Sequence, residues 1–157
     1  MKTVYLETSI VSYLAARPSR DIVVAAHQQI THDWWHCRGE YELVVSELVV
    51  TEASRGDAEA AARRLTALKG IKRLALSEQA RFLARQLVTA KLVPDSAIAD
   101  ALHIAAAAAS GIDFLLTWNC AHIANAITRP RVDEWFRVRG IMPPVICTPE
   151  ELLGNLP

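Results

Sequence analysis

The chain is poor in the features that would settle its class at once. Cys37, Cys120 and Cys147 are odd in number and form no CxxC, so neither a disulfide framework nor a cysteine zinc site is indicated. Neither sign of charge is in excess: 17 Lys and Arg balance 17 Asp and Glu for a formal net charge of +0. The whole-molecule field therefore announces no nucleic-acid partner, although a local patch can still carry such a contact. No apolar run reaches the length of a membrane span, and the first residues enter an apolar strand without the charged-then-apolar layout of a signal. The expected setting is a reducing cytoplasm, with no membrane partner. Repeats, low-complexity tracts and interdomain linkers are missing, which predicts a single domain over 1–157. The sequence has no GxGxxG, no Walker-A GKS/T and no DxD after the first strand, which argues against a nucleotide-binding domain or a phosphatase.

What is present is an ordered, core-forming composition, 52% apolar and 22% charged. It is organised around Pro94–Asn119, PDSAIADALHIAAAAASGIDFLLTWN. Pro and Asp open a helix. An Ala-rich stretch carries it to Ser110, Gly111 ends it, and Ile112–Trp118 reads as a buried parallel strand. Ile98, Leu102, Ala105 and Ala109 form one apolar stripe, and Ala97, Ala101, Ile104 and Ala108 another, so the helix is expected to be buried on nearly all sides. Asp100 and His103 share a face and are the only ionisable groups after the first turn. A buried carboxylate without a partner costs several kcal/mol, so Asp100 needs one, and a metal ion is a candidate. His103 reads as a core hydrogen-bonding residue, with donation to a carboxylate or to phosphate as the alternative.

Thr3–Leu6 has strand character and runs into Glu7, with Thr8 or Ser9 placed to cap a helix over Ile10–Ala16. An acid at a strand's carboxyl end is where open parallel sheets bind ligands, although Glu7 also fits a solvated turn. Asp21–Arg38 reads as a helix, closed by Gly39; His27, His32 and His36 on it lack the Glu of HExxH and read as surface and interface residues. Tyr41–Val45 is a second strand. Ser46 caps the helix after it, Glu47 belongs to the first turn for dipole reasons, and Glu52 is left as the site candidate or as a surface acid facing Arg55. A helix over Ala58–Lys69, a strand over Ile71–Leu76 and a helix from Ser77 to about Lys91 follow. Arg63, Arg64, Lys69, Lys72, Arg73, Arg81 and Arg85 make this region the most basic, either a solvated face or a phosphate-contact surface. Asn119 stands at another strand end. A short helix over Cys120–Ile127, a basic amphipathic helix over Arg129–Arg139, a strand over Val145–Thr148 and a Thr148/Glu151 capping box with Pro149 complete the pattern.

Short apolar strands alternating with helices predict an α/β fold with a parallel sheet covered on both faces. Placed on one edge of that sheet, Glu7, Glu52, Asp100 and Asn119 would form an oxygen-rich cluster. Hard oxygen donors without Cys favour Mg²⁺ or Mn²⁺ over zinc, and such an ion suits phosphodiester hydrolysis.

YLETSIVSYL, SELVVTE, DALHIAAAAA and LLTWN, in that order, resemble the four motifs of the PIN-domain family, and more narrowly the VapC-type toxins of bacterial type II toxin–antitoxin pairs. The ending PPVICTPEELL is similar too. The resemblance implies a three-layer α/β/α fold with a central parallel sheet of about five strands and a metal-dependent endoribonuclease acting on RNA. It also implies a cognate antitoxin and a homodimer, for which Trp34, Trp35, Trp135 and Phe136 are candidate interface residues if they are not core. Carried over, Glu7, Glu52, Asp100 and Asn119 occupy the four catalytic positions, with Glu7 and Asp100 as metal ligands and Glu52 as a water-mediated contact or general base. Ser9 and Thr117 would orient Glu7. Glu7 stands where Asp is usual and Asn119 where a second Asp is common, so the site carries three negative charges. A binding module that has lost cleavage is the other reading these two residues permit.

Overall fold

The sheet is built around its first strand. In the computed structural model, which describes residues 1–154, β1 (Lys2–Leu6) lies at the centre of five parallel strands ordered β3-β2-β1-β4-β5. β2 spans Tyr41–Ser46, β3 Lys72–Leu74, β4 Phe114–Leu116 and β5 Val145–Cys147. Val4, Tyr5 and Leu6 are all fully buried, as expected for a strand whose two faces are both covered by helices. Tyr5 is in register with Val44 on one side and Leu115 on the other.

The helices are α1 (Thr8–Ala15), α2 (Ile22–His36), α3 (Glu47–Ala53), α4 (Ala58–Ala67), α5 (Glu78–Thr89), α6 (Ile98–Ala109), α7 (Arg129–Arg137) and α8 (Pro149–Leu153). α1 packs on α2 and α4, and α2 on α8; α5 packs on α6. The result is the three-layer α/β/α arrangement expected from the alternation of strands and helices. The chain leaves β1 toward β2 and β3, then crosses back to β4 on the other side. The carboxyl ends of β1 and β4 therefore flank the reversal of strand order, the place where open α/β sheets form their ligand crevice.

α6 is preceded by a 3₁₀ turn over Asp95–Ala97 and buries Ala101 and the run His103–Ala108. Its Ala residues lose no side-chain entropy on burial, and they face the buried Ala80, Leu83, Ala84 and Leu87 of α5. Burial is less complete than the two stripes predict, because Ile98 is exposed and Leu102 and Ala109 are half-buried. Gly111 ends the helix at φ +64, and the amides of Gly111 and Ile112 return to Ala108 O and Ala107 O. That left-handed closure favours a residue without Cβ.

Four local expectations need correction. Thr8 and Ser9 do not cap α1; Glu7 holds the cap position, with no side-chain capping bond. Both hydroxyls are turned to carboxylates instead, Thr8 to Glu52 and Ser9 to Glu7. Cys120–Ile127 forms turns rather than a helix. There Asn119 O accepts from both Ile123 N and Ala124 N, and Asn125 Oδ1 takes Ile127 N and Thr128 N, a local side-chain alternative to helical bonding. The strand expected over Ile112–Trp118 narrows to Phe114–Leu116, and the one over Ile71–Leu76 to Lys72–Leu74. The Thr148/Glu151 capping box with Pro149 is present.

Trp34 and Phe136 are fully buried, whereas Trp35 and Trp135 are partly buried beneath the guanidinium groups of Arg38 and Arg139, 4.8 and 3.9 Å from the ring centroids. Among the described residues, no helix is long and apolar enough to cross a membrane. The last three residues of the expected 1–157 domain lie outside the described range.

Candidate functional site

Glu7 follows β1 directly, and its amide donates to Leu116 O at 3.0 Å, so the sheet ladder itself fixes the start of the side chain. The side chain is only 8% exposed. Oε2 accepts from Ser9 Oγ at 2.5 Å and from Thr117 Oγ1, just past β4, at 2.7 Å. The expectation that Ser9 and Thr117 orient Glu7 is met. Ser9 Oγ also takes the amide of Trp118 at 2.8 Å, and Thr117 Oγ1 takes that of Asn119 at 2.9 Å. The two hydroxyls thus tie the carboxylate to both strand ends. Among the described residues nothing donates a hydrogen bond to Oε1.

Glu52 reaches the same place from α3. Its Oε1 accepts from Thr8 Oγ1 at 2.6 Å and pairs with His103 Nε2 at 2.7 Å. Its hydrogen bonds point into the site, so it is not an acid occupied with Arg55. Burial alone would raise its pKa. The hydrogen bond from His103, the Thr8 hydroxyl and the charge of Arg55 outweigh that and hold it below the ordinary carboxylate range. Glu47, by contrast, stays exposed in the first turn of α3, as its dipole explanation requires.

His103 is 1% exposed. Its Nδ1 lies 2.8 Å from Tyr5 Oη, which lies 2.6 Å from Ser46 Oγ. An ionised Glu52 can only accept, so Nε2 carries the proton, Nδ1 accepts from Tyr5, and Tyr5 accepts from Ser46. Burial, with the charges of Glu7 and Glu52, pushes the Tyr5 phenol further above its usual range against the bond from Ser46, so it stays a donor. His103 is therefore both a core residue and a carboxylate donor, joining the two readings its position allowed.

Glu7, Glu52 and His103 each offer a ligand atom within 4.8 Å of the others. Each carboxylate has one oxygen tied by hydroxyl or imidazole donors and, among the described residues, one without a hydrogen-bond donor. Two negative groups that close call for a compensating charge. The two carboxylate oxygens without a donor fit a divalent cation of the Mg²⁺ or Mn²⁺ kind.

Asp100 belongs to the same rim but to a different pair. It sits one turn before His103 on α6, and its Oδ2 is 2.9 Å from His122 Nδ1, with side chains 20% and 39% exposed respectively. His122 is held by its amide, which donates to Asn119 Oδ1 at 3.1 Å. Asn119 thus caps the turn that presents His122. The link from Asp100 through His122 and Asn119 to Thr117 and Glu7 is a continuous run of contacts. Sequence reasoning missed His122, Tyr5, Thr8 and Ser46; no spacing signal connects Asp100 to a histidine 22 residues later.

The basic middle region is partly structural. Arg63 and Arg64 donate to the carbonyls of Ala15 and Ala53, each at 3.0 Å, and Lys72 pairs with Glu42.

The PIN domain family model matches residues 4–119, a span that holds Glu7, Glu52, Asp100 and Asn119. The chain belongs to the PIN-domain family. No curated protein sequence matches it. Among solved structures it is similar to VapBC2 from Rickettsia felis, bound there to a DNA fragment from their promoter, with 15% identity, a TM-score of 0.60 and coverage of 93% of this chain and 98% of that one. It is also similar to Mycobacterium tuberculosis VapC20, a toxin that cleaves the sarcin–ricin loop, with 15% identity, a TM-score of 0.59 and coverage of 76% and 92%. At that identity the two likenesses speak for the fold.

Proposed function

We propose that this chain is a VapC-type endoribonuclease that hydrolyses RNA phosphodiester bonds with Mg²⁺ or Mn²⁺. The observation that carries the reading is the convergence of Glu7 and Glu52 at the reversal of strand order, each with one oxygen tied down and one left for a cation. Glu7 is the principal ligand. Asp100 contributes from the rim of α6, directly or through water. A divalent ion, when bound, supplies charge neutralisation on the scissile phosphate and a water acidic enough to act as nucleophile at neutral pH. Glu52, kept ionised by His103 and Thr8, is suited to accept the proton of that water or to hold a second water. Asn119 orients the turn carrying His122 beside Asp100. The products are a 5′-phosphate and a 3′-hydroxyl.

The family context supports an antitoxin that covers the groove, a homodimer and a cytoplasmic setting as parts of the same proposal. Incubating the full chain with a mixed RNA substrate and Mg²⁺ or Mn²⁺ tests the core of it. Metal-dependent cleavage lost in Asp100→Asn supports the reading, and cleavage at the parent rate in that variant removes Asp100 from the centre.

A second reading has its own observation. Asn119 Oδ1 is occupied as a cap and Asp100 is paired with His122, which suits a domain that binds RNA or a protein without cutting. Saturable Mn²⁺ binding without cleavage of any RNA in the mixture would favour it.

A further inference from the structure

The acid-only account of the site leaves His103 without a role beyond a hydrogen bond. Its Nε2 is 2.7 Å from Glu52 Oε1 and 4.0 Å from Glu7 Oε1. One ligand atom from each of Glu7, Glu52 and His103 lies within 4.8 Å of the other two, close enough for a single ion to draw on all three. Resting on the divalent-cation reading above, we propose that His103 is itself a ligand. Its Nε2 joins Glu7 and Glu52 in a mixed nitrogen and oxygen donor set, and the centre selects Mn²⁺ over Mg²⁺.

The hydroxyls behind the ring make this role possible. A ligating Nε2 must be without its proton, which places the ring proton on Nδ1. Nδ1 faces Tyr5 Oη at 2.8 Å, and Tyr5 Oη faces Ser46 Oγ at 2.6 Å. Hydroxyls donate or accept by rotation. In the metal-free protein the bonds run from Ser46 to Tyr5 to Nδ1, and Nε2–H donates to Glu52. With the ion present they run from Nδ1–H to Tyr5 Oη and from the Tyr5 hydroxyl to Ser46. The ring exchanges one proton position for the other through solvent and stays neutral. Neither arrangement leaves a buried ring nitrogen unpaired, and a ligating histidine usually has its far nitrogen donating in this way. The burial of Glu7 and its Oε1 without a donor among the described residues give the ion a second, independent anchor.

The metal preference follows from the nitrogen. Mg²⁺ takes oxygen donors and keeps its waters, whereas first-row transition ions accept imidazole. Mn²⁺ is the ion of that series best matched to a set still dominated by carboxylates.

Pulsed electron paramagnetic resonance of the full chain loaded with Mn²⁺ alone tests the proposal. The expected spectrum carries modulation from one directly bound ¹⁴N, and His103→Gln removes it. Competition between the two ions should show the Mn²⁺ over Mg²⁺ preference falling by about tenfold in that variant. Because His103 is fully buried, Tyr5→Phe provides a second variant: it keeps the ring, so the nitrogen signal persists, while Mn²⁺ affinity drops by about tenfold. Mn²⁺ bound to the unaltered chain with no nitrogen modulation overturns the role of His103 alone. Absence of Mn²⁺ binding overturns both this role and the divalent-cation reading on which it rests.

Discussion

Helix α6 presents two acid–imidazole pairs one turn apart, and they differ in almost everything except chemistry. In the pair of Glu52 with His103 the imidazole is 1% exposed and the acid 23%, and both partners are tied further, to Thr8 and to Tyr5. In the pair of Asp100 with His122 the imidazole is 39% exposed and rests on a turn held by Asn119. The buried pair sits on the structural frame of two strands, through Tyr5 on β1, Ser46 on β2 and Glu7 just past the end of β1. The rim pair hangs on a segment that forms turns rather than a helix. Removing one partner of a buried pair leaves the other charge stranded, whereas an exposed pair contributes little to stability. The first pair should therefore govern folding and metal retention, and the second should be free to rearrange toward substrate.

The largest expected effect separates activity from stability. On the proposed reading, in which Asp100 serves the ion, Asp100→Asn should lower RNA cleavage by about a hundredfold or more, since a ligand to the ion is worth several kcal/mol in the transition state. Its thermal midpoint should stay within about 2 °C of the parent because the lost pair is near the surface. Cleavage rates and a thermal melt on one preparation check both halves. Next, His103→Ala should cost about 3 kcal/mol, a fall in midpoint of roughly 6–12 °C for a chain of this size. A shift as small as that of His122→Ala would erase the contrast between the pairs. His122→Ala itself should cost about 0.5 kcal/mol while reducing cleavage by about tenfold, through a less well-oriented Asp100.

The smallest effect lies at the opposite end of the sheet and serves as a control. Asp113 accepts from Lys2 Nζ at 2.7 Å and from the amide and hydroxyl of Thr3. The Lys2 bond leads the causes that lower its pKa from 3.8 to about 2. A carboxylate depressed in the folded state contributes stability that is complete above its unfolded value and is lost as pH falls through the folded one. Urea unfolding should therefore show the parent more stable than Asp113→Asn at pH 5, with the gap closing between about pH 4 and pH 2. RNA cleavage at neutral pH should be the same in both.

Much of the candidate site could be read from local sequence because each acid is announced by the element carrying it. Glu7 follows a strand of β-branched and aromatic residues, Glu52 lies beyond the first turn that explains Glu47, and Asp100 interrupts an Ala-rich helix. What could not be read was how the polar groups divide among themselves. Thr8 and Ser9 satisfy every local rule for a cap, yet their hydroxyls are bound to Glu52 and Glu7; the site overrides local preference where a long-range partner is charged. The Cys120–Ile127 segment has helical composition, but Asn119 and Asn125 bind its amides first. The partnership of Asp100 with His122 depends on how β4 and α6 are juxtaposed, which no spacing encodes. His103 carried both a core and a polar interpretation in its sequence context, and the fold uses both.

Calorimetric titration of Mn²⁺ into the full chain and into Glu7→Gln bears most directly on whether these carboxylates gather to hold a cation. The account predicts saturable binding in the parent and affinity weakened by about a hundredfold in the variant. Heat signals that are flat in the parent, or identical in the two proteins, would contradict it.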